Sequence, residues 1–481
     1  MANSKYEYVK NFELEDEVMF PNFILVRING RNFSNFSRLH RLQKPYDENA
    51  LNLMNSCAVS VLEEYADIVL AYGFSDEYTF VFKKTSKFYD RRASKVLSTI
   101  TSFFSSIFVT KWSDFFPQKE LQYSPSFHGH VTSCALVDVL QAYLLWRQNI
   151  CHATNQYDQC FWRLVECGKD VKEAHDLLKR AEKCNLNNLL FDKFNVNYNT
   201  LEPIFRQGSC VLKVVVDDIV KYTDNGVPIK RQRRKIITMH SKKIAGRKFC
   251  NEQTFLSKEL GCFVEDIDNV KPEYVKSFEF DSKLMPLTWI VVRIDGCHFH
   301  RFSELHEFVK PNDERALNLM NSCAMSVLEE FPHDIVFAYG VSDEYSFVLK
   351  KTTDLFQRRA MCYPSIEILR DYLSWRQVDC HINNQYNSCF WKLVGSGNLK
   401  REAQQSLKGA QLQKKIEELA IDYNSLPAMF RQGSSVFWDN VLTCQQNGKS
   451  SESCGRVIVE HCDIIGSGFW LEHPSILEEK Q

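Results

Sequence analysis

The chain has 481 residues, a length that predicts two to four domains. Hydrophobic residues make up 44%, ample for sizeable cores, and 59 basic against 60 acidic side chains give a formal net charge of -1. That balance carries no global signature of a nucleic-acid binder, so any RNA surface must be a local patch. The 17 cysteines form no C-x-x-C pair, which argues against a zinc ribbon or thioredoxin-like site and for reduced, buried thiols. The polar start MANSKYEYVK is no secretory signal. The most apolar run, around Ile100 to Val109, is broken by serines and too short for a bilayer. A soluble intracellular protein without membrane partners is expected.

In chain order, Phe23 to Ile28 is a short run of β-branched and aromatic residues ending at Asn29-Gly30, a strand followed by a turn. Asp47 then predicts a helix N-cap, followed by apolar residues at Ala50/Leu51, Met54, Cys57/Ala58 and Val61/Leu62, a helical spacing. Asp67 to Tyr72 and Tyr78 to Phe82 predict a hairpin with Ser75, Asp76 and Glu77 at its tip. Arg91 to Trp112 reads as a long amphipathic helix, and further helices are expected near Leu140–Leu164 and Lys172–Leu190. From Lys230 to Lys248 stand nine Lys/Arg and no acids, a stretch that fits a phosphate-backbone contact, a nuclear import signal or a solvated inter-domain loop.

The same landmarks then recur. ALNLMNSCA occurs at Ala50–Ala58 and again at Ala316–Ala324. VRINGRNF from Val26 returns as VRIDGCHF from Val292, and AYGFSDEY from Ala71 as AYGVSDEY from Ala338. CHATNQYDQCFW from Cys151 returns as CHINNQYNSCFW from Cys380, and FRQGS from Phe205 again from Phe430. Order is kept, so a whole domain is duplicated rather than a short solenoid repeat. The spacing between copies starts at 266, becomes 267, then falls to 229 after Arg358-Arg359-Ala360. The second copy therefore lacks about 38 residues, the equivalent of Ser94 through Val131. The expected domains are 1–262, with a basic C-terminal extension, and 263–481, internally truncated after Ala360. The element order β-α-β-β-α in each predicts an α+β fold of two tandem palm-type, ferredoxin-like units, an order that by itself gives no function.

The second copy puts Asp295 at the end of one strand and Asp343-Glu344 on a hairpin expected beside it. Gly296 would let its backbone carbonyl approach a ligand. Hard oxygen ligands gathered there would hold Mg²⁺ and a triphosphate, the chemistry of a two-metal phosphoryl or nucleotidyl transfer. Asp-Gly and Asp-Glu pairs are individually common in solvated turns; the repeated combination is what singles them out. Arg91, Arg92 and Lys95 open the amphipathic helix, where they could neutralise phosphate or form a solvated basic face. His152 and His381 lie on an aromatic-rich helix, where a structural role is the commoner one.

VRIDGCHFHRF, KPND, AYGVSDEYSFV, RRASK, DYLSWRQ, DCHINNQYN and FRQGS together resemble the signatures of the eukaryotic tRNA-histidine guanylyltransferase family, and the tandem arrangement is similar to that of plant members. The resemblance spans nearly the whole chain. It implies a palm domain working in the 3′ to 5′ direction that activates the 5′ end of tRNA(His) with ATP and joins it to the 3′-hydroxyl of GTP, with two Mg²⁺ ions per active site, in tetramers. By position it implies metal ligands Asp295, Gly296 and Asp343, matched in the first copy by Asn29, Gly30 and Asp76, with Glu77 and Glu344 beside them. Nucleotide would lie along Asn29, Gly30, Arg31, Asn32, Phe33 and Ser34 and beside Ser75. The matching residues are Asp295, Gly296, Cys297, His298, Phe299, His300 and Ser342. Arg92 and Lys95 resemble triphosphate contacts; His152, Asn155, His381 and Asn384 resemble residues of the activation step and the tRNA end. Two departures stand out. The first copy has Asn29 and Ser34 where the family has Asp and His, and the second lacks the segment holding Lys95. A non-catalytic tRNA-binding or assembly subunit, and a repair enzyme for truncated tRNA 5′ ends, remain as alternatives. Location in the nucleus or the cytoplasm is open.

Overall fold

The computed structural model describes residues 4–12, 16–180, 186–222, 228–267, 288–353, 361–439 and 455–477. The chain folds into two compact units, one of Asp16–Asp281 and one of Met1–Glu15 with Ser282–Gln481. We call them the N-terminal and C-terminal units. Each holds a six-stranded antiparallel sheet flanked by helices.

In the N-terminal unit the strands are β1 (Phe23–Gly30), β2 (Ile68–Phe74), β3 (Glu77–Phe82), β4 (Phe127–Cys134), β5 (Ser209–Tyr222) and β6 (Pro228–Met239), in the order β4-β1-β3-β2-β5-β6. The helices are α1 (Phe33–Leu39), α2 (Glu48–Glu64), α3 (Ala93–Phe115), α4 (Val137–Glu166), α5 (Val171–Arg180), α6 (Leu186–Phe194), α7 (Pro203–Gln207), α8 (Arg247–Glu252) and α9 (Thr254–Leu260). Strand alternation sorts the two cores. Ile24, Val26, Ile28, Phe80 and Phe82 pack with Met54, Cys57 and Val61 of α2 and Ile100, Phe104 and Phe108 of α3. Phe23, Leu25 and Val81 face Leu140, Tyr143 and Leu144 of α4 and Phe255 and Leu256 of α9. As its sequence suggests, Asp47 caps α2, accepting from the Ala50 amide.

In the C-terminal unit the strands are β7 (Trp289–Asp295), β8 (Ile335–Val341), β9 (Glu344–Leu349), β10 (Met361–Tyr363), β11 (Ser434–Asp439) and β12 (Arg456–Glu460), in the order β10-β7-β9-β8-β11-β12. Its principal helices are α10 (Phe299–Leu305), α11 (Glu314–Glu330) and α12 (Ile366–Gly395). Asp313 caps α11, accepting from the amides of Arg315 and Ala316. Ala324 and Leu328 of α11 cover Ile290 and Phe347 on one face. Leu369, Tyr372 and Leu373 of α12 cover Trp289, Val291 and Val348 on the other. Only eleven residues separate β9 from β10, against forty-four between β3 and β4, which leaves no room for a helix like α3. Arg358, Arg359 and Ala360 lie outside the described residues.

Four expectations are revised. The division expected at 262/263 moves past Phe263, which is buried in the N-terminal unit's core, toward residues 268–287, which lie outside the described residues. The N-terminal residues 1–15 group with the C-terminal unit, where Val9 is buried beside Trp289 and Tyr363. The helix expected over Lys172–Leu190 is two described helices, α5 and α6, both packed on the second half of α4. Lys230 to Lys235 is not a loop but part of β6, paired with β5 from Ile219↔Lys230 through Val214↔Lys235. Basic and polar residues on both faces of the ribbon hide the period of two that would mark a strand. Among the described residues, no helix is long and apolar enough to cross a membrane.

Candidate active site

The strand ends and hairpins bring the acidic residues of each unit together. In the C-terminal unit β7 and β9 pair with Asp295 opposite Glu344. The Gly296 amide donates to the Asp343 carbonyl (3.1 Å), tying the strand end to the hairpin tip. Ser342 holds a left-handed backbone (φ 55°), which turns the hairpin sharply. A Cβ on Gly296 would fall 2.6 Å from Asp343 Oδ2, so glycine is what lets this carboxylate lie against the strand end. Burial, and after it the charge of Asp295, holds the Asp343 carboxyl above the ordinary range against hydrogen bonds from its own amide and Ser342.

Glu344 is committed elsewhere. Arg376 of α12 meets it at 2.7 Å, and Arg376 also meets Asp379 at 2.9 Å. Burial still keeps the Glu344 carboxyl raised despite Arg376 and Arg293. The adjoining cleft, about 700 Å³, is lined among others by Gly296, His298, Phe299, His300, Ser342 and Asp343. Asp295 and Cys297 are exposed at the strand end.

The N-terminal unit repeats this geometry with altered chemistry. Asn29 stands opposite Glu77, the Gly30 amide donates to the Asp76 carbonyl (3.0 Å), and Ser75 again has positive φ (53°). Arg147 of α4 forms the ion pair with Glu77. Burial pushes the Asp76 carboxyl up to about 6, Glu77 and Asp158 adding like charge, against hydrogen bonds from its own amide and Ser75. Asn29 Oδ1 is buried without a hydrogen-bond partner. The Arg31 amide donates to Ser126, Asn32 turns the chain (φ 52°) into α1, Phe33 packs beneath Gly30, and Ser34 is exposed on α1.

Other expected residues sit apart from this group or have other partners. Arg92 pairs with Asp16 (3.5 Å), and Lys95 is exposed in the first turn of α3. Arg91 is structural: its buried guanidinium donates to the carbonyls of Val18, Ser86, Met19 and Asn22. His152 lies 3.4 Å from the Tyr198 hydroxyl, and burial followed by Arg206 lowers its pKa. Burial also lowers His381, with Arg431 in the same sense and Asp463 opposing. Both imidazoles are thus biased toward the neutral form. Asn155 buries both amide atoms, and Asn384 its oxygen, without partners.

Sequence reasoning missed the arginine clamps. Their signal was present: Trp-Arg-Gln recurs on both long helices, placing a charge among apolar residues. Among the described residues, no three His, Cys, Asp or Glu side chains converge as a metal cluster. The available donor set is instead two carboxylates and a glycine carbonyl at Asp295, Gly296 and Asp343. Hard oxygen donors with like charge suit a hard divalent cation.

A family model described as tRNAHis guanylyltransferase matches residues 6–135 and 272–369, and one described as Thg1 C terminal domain matches 138–252 and 367–466. The chain is 56% identical to tRNA(His) guanylyltransferase 1 of Arabidopsis thaliana, covering 99% of this chain and 91% of that protein. It is 54% identical to tRNA(His) guanylyltransferase 2 of the same plant, over 99% of each. A crystal structure of the Saccharomyces cerevisiae enzyme is also similar, at 36% identity and TM-score 0.41, covering 43% of this chain and 93% of that one. By the two family models and the two plant relatives, the chain belongs to the tRNA(His) guanylyltransferase family of nucleotidyltransferases.

Proposed function

We propose that the chain adds a guanosine to the 5′ end of tRNA(His) by two-metal, 3′–5′ nucleotidyl transfer, using ATP for activation and GTP as the incoming nucleotide, with the C-terminal unit as the working site. The supporting observation is the pair Asp295 and Asp343 at one strand end, close enough for the charge of one to raise the carboxyl of the other. Two Mg²⁺ ions held by Asp295, the Gly296 carbonyl and Asp343 would supply charge neutralisation and activation of the attacking hydroxyl. Arg376 orients Glu344 and keeps it out of that ligand set. His298, Phe299, His300 and Ser342 form the wall against which a nucleotide rests. His381, with its neutral bias, and Asn384 would serve the activation step and the tRNA end.

In the N-terminal unit Asn29 still offers an oxygen, but without charge. Such a loss costs several kcal/mol of charge stabilisation in a metal-dependent transfer. Arg92 and Lys95 resemble the family's triphosphate contacts in that unit, but Arg92 is held by Asp16. The order β4-β1-β3-β2 with its intervening helices supports a ferredoxin-like palm, in tandem copies of which the second lacks the equivalent of Ser94–Val131. Tetrameric assembly and work in the nucleus or cytoplasm belong to the same reading.

The test is incorporation of guanylate into 5′-³²P-monophosphorylated tRNA(His) with GTP, ATP and Mg²⁺. Asp343→Ala is expected to lower the rate on the order of 100-fold or more, the equivalent of several kcal/mol. An equal loss in Asp76→Ala and none in Asp343→Ala would move the working site to the N-terminal unit. One observation favours the second reading, a catalytically weakened tRNA-binding or assembly subunit. Among the described residues β10 pairs with β7 no further than Val291, whereas β4 runs on to cover Asn29 and Gly30. No incorporation with retained tRNA binding would favour that reading.

A further inference from the structure

The units differ at a coupled pair of positions beside the acids. In the N-terminal unit the Tyr46 hydroxyl donates to Asp158 Oδ2 (2.6 Å), joining the loop before α2 to helix α4. The Tyr46 ring stacks on Phe205 (6.2 Å between centroids, 19° between planes). Lys44, two residues earlier, donates to Ser37 Oγ (2.6 Å) and lies over the Trp162 ring at 5.3 Å. Asp158 is close enough to Asp76 for its charge to count among those acting on that carboxyl.

In the C-terminal unit the matching residues are both asparagine. Lys310-Pro311-Asn312-Asp313 corresponds to Lys44-Pro45-Tyr46-Asp47, and Tyr386-Asn387 to Tyr157-Asp158. Lys310 still donates to a serine, Ser303. Asn312 and Asn387 line the cleft that reaches Gly296, Ser342 and Asp343, and Asn312 Nδ2 is buried there without a partner. Tyrosine and aspartate thus change together, and the hydrogen bond between them explains why: neither residue alone makes the bridge.

We propose that the Tyr46–Asp158 bridge closes the N-terminal unit's counterpart of this cleft to nucleoside triphosphates, so that GTP enters the C-terminal unit alone. The proposal rests on the reading of the C-terminal cleft as the nucleotide site. Two effects act together. A phenol ring pinned at both ends fills space that an asparagine leaves to a ligand. A carboxylate whose charge reaches Asp76 adds negative charge where a polyphosphate would arrive, and like charges repel more where water is scarce. The asparagine pair removes both the bulk and the charge, leaving neutral donors and acceptors suited to a base or ribose.

The experiment is GTP binding to the full chain with Mg²⁺ by isothermal titration. Asp343→Ala is expected to weaken binding at least tenfold. Adding Tyr46→Asn and Asp158→Asn to that variant is expected to bring saturable binding back. Conversely, Asn312→Tyr with Asn387→Asp in the unaltered chain is expected to weaken binding at least tenfold while native melting is kept. Unchanged GTP affinity in Asp343→Ala, or in a natively melting Asn312→Tyr/Asn387→Asp chain, overturns the proposal. So does a natively melting Asp343→Ala/Tyr46→Asn/Asp158→Asn chain without GTP binding. If the unaltered chain binds no GTP, the reading of the C-terminal cleft falls as well, which separates the two failures.

Discussion

Helices α2 and α11 contain the same nine residues, ALNLMNSCA, behind the same aspartate cap, and bury them differently. Leu53 is 0% exposed and its equivalent Leu319 is 60% exposed. Cys57 is buried and Cys323 exposed. The difference extends to Ile28 at 0% against Ile294 at 47%, and Phe36 at 1% against Phe302 at 44%. The cause is α3. Phe108 and Trp112 meet Phe36 edge-on (5.9 and 5.7 Å), Phe104 packs beside Tyr78, and Lys111 donates to Ser56 Oγ and Ser60 Oγ. No equivalent helix fits between β9 and β10. An apolar pattern thus states which face wants cover; whether it is covered depends on another part of the chain.

The largest test inserts Ser94–Val131 after Ala360. At about 1.5–3 kcal/mol for each large apolar side chain fully buried, covering Ile294, Phe302 and Leu319 is expected to stabilise the C-terminal unit by several kcal/mol. A rise in its denaturant midpoint checks this; an unchanged midpoint breaks the comparison. Next, Leu53→Ala is expected to cost about 2–5 kcal/mol and Leu319→Ala within about 0.5 kcal/mol, measured by denaturant unfolding. Equal costs would mean that α11 is covered in solution.

The smallest effect sharpens the comparison of the acids. Asp76, pushed up to about 6, holds its proton more tightly folded than unfolded. Its contribution to stability is therefore fully present below the unfolded carboxylate range and lost as pH rises through about 6. Asp76→Asn keeps the shape without the charge. It is expected to raise the unfolding midpoint at pH 8, with the gain vanishing by pH 4. A gain that persists at pH 4 would show that charge is not the cause.

Much of the site could be read locally. Asn29-Gly30 and Asp295-Gly296 mark strand ends, the Ser-Asp-Glu tips mark hairpins, and β1·β3 and β7·β9 pairing brings them side by side. The caps Asp47 and Asp313 and the stripe Ile100, Phe104, Phe108 and Trp112 are likewise short-range patterns. What escaped depends on distant partners. Arg147 meets Glu77 across seventy residues, and Tyr46 meets Asp158 across more than a hundred, so no window along the chain contains either pair. The basic stretch in β6 escaped for another reason, since its strand character comes from pairing with β5 rather than from its own alternation.

The basic strand β6 has a consequence for how the molecule behaves in company. Among the described residues it stands last in its sheet, so one side of its main chain faces outward. Such a rim is a template for another chain's strand, the first step in clumping. Arg231, Arg233, Arg234 and Lys235 are exposed along it, and charged side chains are what proteins use to ward off unwanted pairing. Replacing them with apolar residues would cost solubility whatever else they touch.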